Sequence, residues 1–325
     1  SSLELAVRLL NWAATWHVIG GADSPIFDGE AGAAFRARWL DSVFRHCHFI
    51  RGHLSRHSSA NNHLLGELAG LFVASTTWPC WPQSNTWRQR AMRTLEREAL
   101  AQNAPDGVNR EQAIWYQHEV MDMLLLALLY GKANDLEFSS DFRSRLESMM
   151  DFICSTMDAG GNVPRWGDGD DAVMVRFDRS AAFDPFRSLL ATGAVLFGRS
   201  DFARKAGCFD IKSRWLLGDA ANAAFEGLLA SSTDAVPKQA FPDGGYWVLG
   251  GDWNSDSEIR LIADAGALGY LSIAAHGHAD ALAFTLSLGG QPFLIDPGTF
   301  SYHADGHWRN YFKGTSAHNT LRVDG

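Results

Sequence analysis

At 325 residues the chain exceeds one ordinary hydrophobic core, so two domains are expected. A formal net charge of −9 argues against general nucleic-acid or anionic-membrane binding, and leaves room only for a local basic groove that holds a polyanion. Hydrophobic content of 46% is that of a globular protein, no apolar run approaches the ~18 residues of a membrane span, and Cys47, Cys80, Cys154 and Cys208 lack the CxxC spacing of a zinc or disulfide framework.

Ser1-Ser2-Leu3 runs straight into a helical pattern, Leu5, Leu9, Trp12 and Trp16, with no visible secretory leader. A second helix is expected from Ala33 to Leu54, and the polar stretch Ser58 to Asn62 caps a third, His63 to Ser75. After the Trp78–Pro82 loop, further helices fit Trp87–Gln102, Glu111–Tyr130, Ser140–Met157, Pro185–Phe197 and Ala220–Ala230. The stretch Met121–Leu129 is apolar on nearly all sides, which places its helix inside a multi-helix assembly. Helix after helix on short loops suggests helical hairpins packed in an arc or toroid.

Composition changes near residue 235. Short β-branched and aromatic segments then alternate with glycine turns: Tyr246–Leu249, Glu258–Ile262, Ala281–Leu288 and Gln291–Ile295 around Gly289-Gly290. The reading is an α-helical domain over 1–234 and an antiparallel β-sheet domain over 235–325. Leu321 to Gly325 looks like a strand without a partner, so the chain reads as cut from a longer polypeptide at both ends.

Within the β part, His276-Gly277-His278-Ala279-Asp280, then Asp296, then His318 form a set suited to a divalent metal: two imidazoles and a carboxylate leave a coordination position open. An outgoing and a returning strand would bring His278 beside Asp296, and an alternating strand would point His276, His278 and Asp280 to one face. The same residues read equally as a polar turn entering a hairpin. In the helical part, Asn61-Asn62-His63 opens a helix, where N–H groups and the dipole favour a carboxylate, or where Asn is simply a cap. Tyr116 opens the apolar helix as a catalytic phenol or a core tyrosine.

Taken in order, Asn61–Glu67, Glu111–Tyr116, His276–Asp280 with Asp296–Phe300, and Trp308–Phe312 before Ala317–Thr320 resemble the heparinase II/III-like polysaccharide lyases, across most of the chain. The resemblance implies an incomplete (α/α) toroid followed by antiparallel β-sheets, with both ends short of what members usually carry. It implies β-elimination on uronic-acid polysaccharides: heparan sulfate or heparin, chondroitin sulfate or hyaluronan, with alginate as the alternative. By the same resemblance Asn62 binds the uronate carboxylate, and His63, Tyr116 and His276 are catalytic. His278, Asp296 and His318 hold one divalent metal, zinc in the relatives compared and manganese or calcium as alternatives, with an orienting role. No nucleic acid or membrane enters as a partner. A periplasmic or secreted bacterial location follows from where such polymers are met.

Elimination needs a donor to offset charge building on an already anionic carboxylate, a base at C5 and an acid at O4. Tyr116 could be both base and acid, provided nearby positive charge lowers its pKa from ~10. For the other epimer, His63 or His276 is base and Tyr116 acid. Tyr302, Arg309 and Tyr311 are candidate sugar and acid contacts, as is His303. The cluster Asp168, Asp170 and Asp171 reads as a calcium loop, as the carboxylate pair of a glycoside hydrolase, or as an acidic turn lining the cleft, and a non-catalytic carbohydrate-binding protein is a third functional class.

Overall fold

A computed structural model describes residues 1–233 and 235–323. Among them are the helices α1 (Ser2–Val18), α2 (Gly29–Gly52), α3 (Asn62–Thr77), α4 (Ser84–Gln102), α5 (Ile114–Ala133), α6 (Ser140–Thr156), α7 (Pro185–Phe197), α8 (Ser200–Ala206), α9 (Ile211–Leu217), α10 (Ala221–Ala230) and α11 (Gly306–Lys313). The strands are β1 (Ala240–Phe241), β2 (Tyr246–Gly251), β3 (Ile259–Asp264), β4 (Phe284–Leu288) and β5 (Gln291–Leu294). The fold class is the expected one, with helices first and an antiparallel sheet after them. Among the described residues, no helix is long and apolar enough to cross a membrane.

Two compact units divide the chain. One comprises Ser1–Ala99 and Asp122–Phe142, the other Leu100–Met121 and Arg143–Gly325. The first is built on α1 and α3. Ser1 caps α1 by accepting from the Glu4 N–H, and Ala6, Leu9, Leu10, Ala13 and Trp16 recur at helical spacing on its buried face. Gly70 lets the two backbones meet, since a Cβ there would sit 2.7 Å from the Cβ of Ala6. Helix α3 is buried nearly all round, so Leu65, Phe72 and Val73 face neighbours on every side.

The second unit carries the sheet, in the order β1-β2-β3-β4-β5 with every neighbour antiparallel. Val248 pairs with Ile262, and Ile262 with Thr285, so these side chains share one face. Phe152 of α6 packs on that sheet, its ring 4.9 Å from Phe241 and 5.2 Å from Tyr246, and Trp166 joins at 5.1 Å from Tyr246. This aromatic cluster anchors the loop that follows Trp166.

A second anchor is ionic. The fully buried Arg260 donates from Nε and Nη2 to Glu258 at 3.0 and 2.8 Å, and from Nη1 to the Ser155 carbonyl. Glu258 also accepts from the backbone N–H groups of Ala159 and Asn254. Burial opposes its ionisation, but these donors outweigh burial and hold the carboxyl below its ordinary range.

Several expectations shift. β4 begins at Phe284 instead of Ala281, and His276, His278 and Asp280 lie on turns and irregular backbone ahead of it, not on an alternating strand. Glycine at 277 and positive φ at Leu271, Ala274 and Leu282 fit such a path better than a pleat. α8, α9 and α11 are short helices, the latter two capped by carboxylates: Asp210 accepts from the Ser213 N–H and Asp305 from the His307 and Trp308 N–H groups. Leu321–Val323 form no strand. Asp234, beside the expected domain boundary, and Asp324 and Gly325 lie outside the described residues.

Candidate active site and metal triad

The first turn of α5 presents Tyr116, and its ring lies flat on that of His276, with centroids 3.6 Å apart and planes at 15°. The Tyr116 and Tyr302 hydroxyls are 3.0 Å apart. Nδ1 of His276 is 3.4 Å from an Asp168 oxygen, and Nε2 is 3.6 Å from the buried Glu111 carboxylate. Glu111 is set by a network at the helix entry: its N–H donates to Asn109 Oδ1, and the Asn109 N–H donates to Gln117 Oε1.

Asp168 is the hub. Its fully buried carboxylate receives both Nη groups of Arg309, Nε2 of His278 at 2.9 Å and the Thr299 hydroxyl at 2.9 Å. Its own N–H donates to the His276 carbonyl at 3.0 Å. Burial alone would raise the Asp168 pKa; Arg309, His276 and His278 overcome it and hold the carboxyl far below its ordinary range. The loop reaches this place between two glycines. At Gly167, with φ +69°, a Cβ would lie 2.6 Å from Ala113 Cβ and from the Gln112 carbonyl oxygen; at Gly169 it would lie 2.3 Å from the Trp115 ring. The Ile114 N–H donates to the Trp166 carbonyl, closing the loop on the start of α5.

Arg309 projects from α11 and stands 4.8 Å over the Tyr302 ring. Tyr302 is thereby held between a guanidinium and the Tyr116 phenol. The expected lowering of the Tyr116 pKa by positive charge does not occur. Burial first, then the bond to Tyr302, push it well above its ordinary value, and the phenol keeps its proton at neutral pH.

His278, Asp296 and His318 converge, each offering a ligand atom within 4.8 Å of the others, and all three are buried. Asn319 draws the chain together here. Its side chain donates to the carbonyls of Phe284 and Ile295, beside Asp296, while its carbonyl accepts from the Phe284 N–H. Asp296 accepts from the Gly298 N–H and sits 3.0 Å from His318 Nδ1. Two buried ring nitrogens, His278 Nδ1 and His318 Nε2, have no hydrogen-bond partner among the described residues. Nearby carboxylates call for positive charge: Asp264 is pushed up to about 6 by burial, with the Asp296 charge adding to it. Two unpartnered imidazole nitrogens and a carboxylate fit a divalent ion.

Asn62 and His63 open α3 in the first unit, where Asn61 is the residue that caps, accepting from the His63 N–H. Tyr311 packs against Trp308 and Phe312, and the His303 ring lies 6.2 Å from that of Tyr302. Asp170 and Asp171 are exposed. Asp168, Glu111 and Thr299 are the contributors that residue patterns did not assign to this site. The only local sign was the glycine on each side of Asp168.

Residues 1–185 match the family described as Heparinase II/III N-terminus, and residues 233–325 match Heparinase II/III-like, C-terminal. A heparin-sulfate lyase of Pedobacter heparinus is 23% identical over 99% of this chain and 43% of its own length. A heparin-sulfate lyase of Bacteroides thetaiotaomicron is 24% identical over 82% of this chain and 37% of its own. The crystal structure of heparinase III superposes with a TM-score of 0.71 at 18% identity, over 100% of this chain and 47% of that one. This chain thus spans less than half the length of each of these relatives. With both the N-terminal and the C-terminal description matched in order, the chain belongs to the heparinase II/III-like family.

Proposed function

We propose that this chain carries catalytic groups of a polysaccharide lyase that cleaves uronic-acid-containing glycosaminoglycans by β-elimination. The observation that carries the reading is the stack of Tyr116 on His276, with Tyr302 at the phenol and carboxylates at both imidazole nitrogens. The relatives' names support heparan sulfate or heparin as substrate; chondroitin sulfate, hyaluronan and alginate offer the same uronate chemistry.

In the reaction the C5–H bond breaks and its proton passes to a base. The electron pair forms the C4=C5 double bond, the C4–O4 bond breaks, and O4 leaves with a proton. Tyr116, protonated and hydrogen-bonded to Tyr302, is the acid for O4. His276 offsets the charge that builds on the uronate carboxylate, oriented by Asp168 and Glu111. Asn62 is read as donor to that carboxylate and His63 as base, both on the motif match alone. Arg309 and Tyr302 are read as contacts to the sugar acid groups, with Tyr311 beside them on α11. His278, Asp296 and His318 would hold one divalent metal, for which zinc suits the donor set, and the bound ion would brace the segment that carries His276.

The hydrolase alternative is disfavoured because Asp168 is fully buried and saturated with donors, while Asp170 and Asp171 are exposed. Uronate polymers are met outside the cytoplasm, and we place the activity in the periplasm or the medium. The test is a panel of heparan sulfate, chondroitin sulfate, hyaluronan and alginate, read by ultraviolet absorbance of the unsaturated product and by product sizing. Absorbance that grows with wild type and is lost in Tyr116→Phe is expected. Reducing ends without absorbance would overturn the reading.

A further inference from the structure

The metal triad and the imidazole beside Tyr116 meet in a single group. Asp168 takes Nε2 of His278 on one oxygen at 2.9 Å and faces Nδ1 of His276 with the other at 3.4 Å, and its N–H also ties down the His276 carbonyl. Arg309 grips both oxygens and Thr299 adds a third kind of donor, so the carboxylate has no freedom to swing from one histidine to the other. We infer that Asp168 is a positioning residue that couples metal binding to catalysis: it fixes the Nε2–H tautomer of His278, leaving Nδ1 as the metal ligand, and sets the His276 ring against Tyr116.

The tautomer follows from the donor count. A carboxylate already paired with a guanidinium accepts and does not donate, so the proton of the 2.9 Å contact belongs to His278 Nε2. The nitrogen left over is Nδ1, the buried atom that lacks a partner. A neighbour that orients a ligand imidazole typically contributes 10–100-fold in metal affinity or activity. Here the same neighbour also touches the second imidazole, so both quantities fall together. The kinetic half of the inference rests on the lyase reading; the metal half does not.

Asp168→Asn keeps the shape and removes the charge. The expected result is zinc affinity weakened about 10–100-fold in competition with a chromophoric chelator, with a fall in kcat of similar size and little change in KM. Because a partly unfolded preparation would also lower the apparent kcat at unchanged KM, rates are taken per folded protein, with the fold checked by circular dichroism. Equal zinc affinity in a folded Asp168→Asn protein would overturn the inference. If that variant does not fold, long-range proton–nitrogen correlation on histidine-labelled wild type decides. His278, identified by comparison with His278→Gln, is expected with its proton on Nε2, and a proton on Nδ1 overturns the coupling. Absence of any unsaturated product from wild type would reject the lyase reading instead, while the zinc and tautomer results still judge Asp168.

Discussion

Two bidentate arginine–carboxylate pairs in the second unit serve different ends: Arg260 grips Glu258 through Nε and Nη2, and Arg309 grips the buried Asp168 through both Nη groups. Arg260 and Glu258 form a closed set: both carboxylate oxygens are taken by one guanidinium and by backbone N–H groups, and the remaining Nη1 goes to a carbonyl. Arg309 and Asp168 form an open set. The carboxylate there is shared with two imidazoles and a hydroxyl, whereas both guanidiniums face a ring, Arg260 at 4.9 Å over Trp253 and Arg309 at 4.8 Å over Tyr302. A bidentate pair that ends in backbone fixes a strand. One that ends in ionisable side chains fixes the state of other reactive groups.

The comparison is broken most directly at its closed end. Glu258→Ala leaves the Arg260 charge buried without its partner and should cost about 3–5 kcal/mol of stability, read by urea unfolding. If it costs under about 1 kcal/mol, the pair is not the anchor described. Tyr116→Phe is the converse case: elimination should fall on the order of 10²–10⁴-fold, with a stability change of only about 1 kcal/mol for the lost bond to Tyr302. Rates near wild type would remove Tyr116 from the chemistry.

Acid acts on both sets at once, with one sign. Asp168 and Glu258 have folded pKa values below their unfolded ones, so the unfolded chain binds more protons in acid. Their contribution is fully present above the unfolded carboxyl range, about 4, and is lost as pH falls below it. Unfolding free energy should therefore be flat in these terms from pH 7 to 5 and decline from about pH 4 downward. A flat profile to pH 3 would contradict both assignments. The smallest effect is expected at Tyr302→Phe, which removes one bond of about 0.5–1.5 kcal/mol. Its loss should lower the urea midpoint with an unchanged slope, and a change beyond about 3 kcal/mol would show that Tyr302 does more than hold one bond.

Much of this architecture could be read from residue order. The helical spacing of α1 and the all-apolar run inside α5 are properties of single segments, whereas the set His278, Asp296 and His318, which converges, was singled out by the family resemblance, residue types alone leaving a polar turn equally open. The hub was not. Asp168 in a Gly-Asp-Gly-Asp-Asp run looks like a solvated acidic turn, and only tertiary contact with α11 and the His276 segment buries it. The Tyr116 pKa failed for a related reason: sequence shows that cations exist nearby in the chain, but not that Arg309 is spent on Asp168.

The glycines at 167 and 169 leave no room for a side chain between the hub loop and the start of α5. The spacing between the Asp168 carboxylate and the Tyr116 phenol is consequently set by main chain lying against its neighbours, and no rotamer change can absorb an error in it. Adding one methyl group, as in Gly167→Ala, would displace the loop bodily. Under the proposed lyase reading such a lesion would impair turnover while leaving every proposed reactive side chain present, at two positions that have no functional group at all.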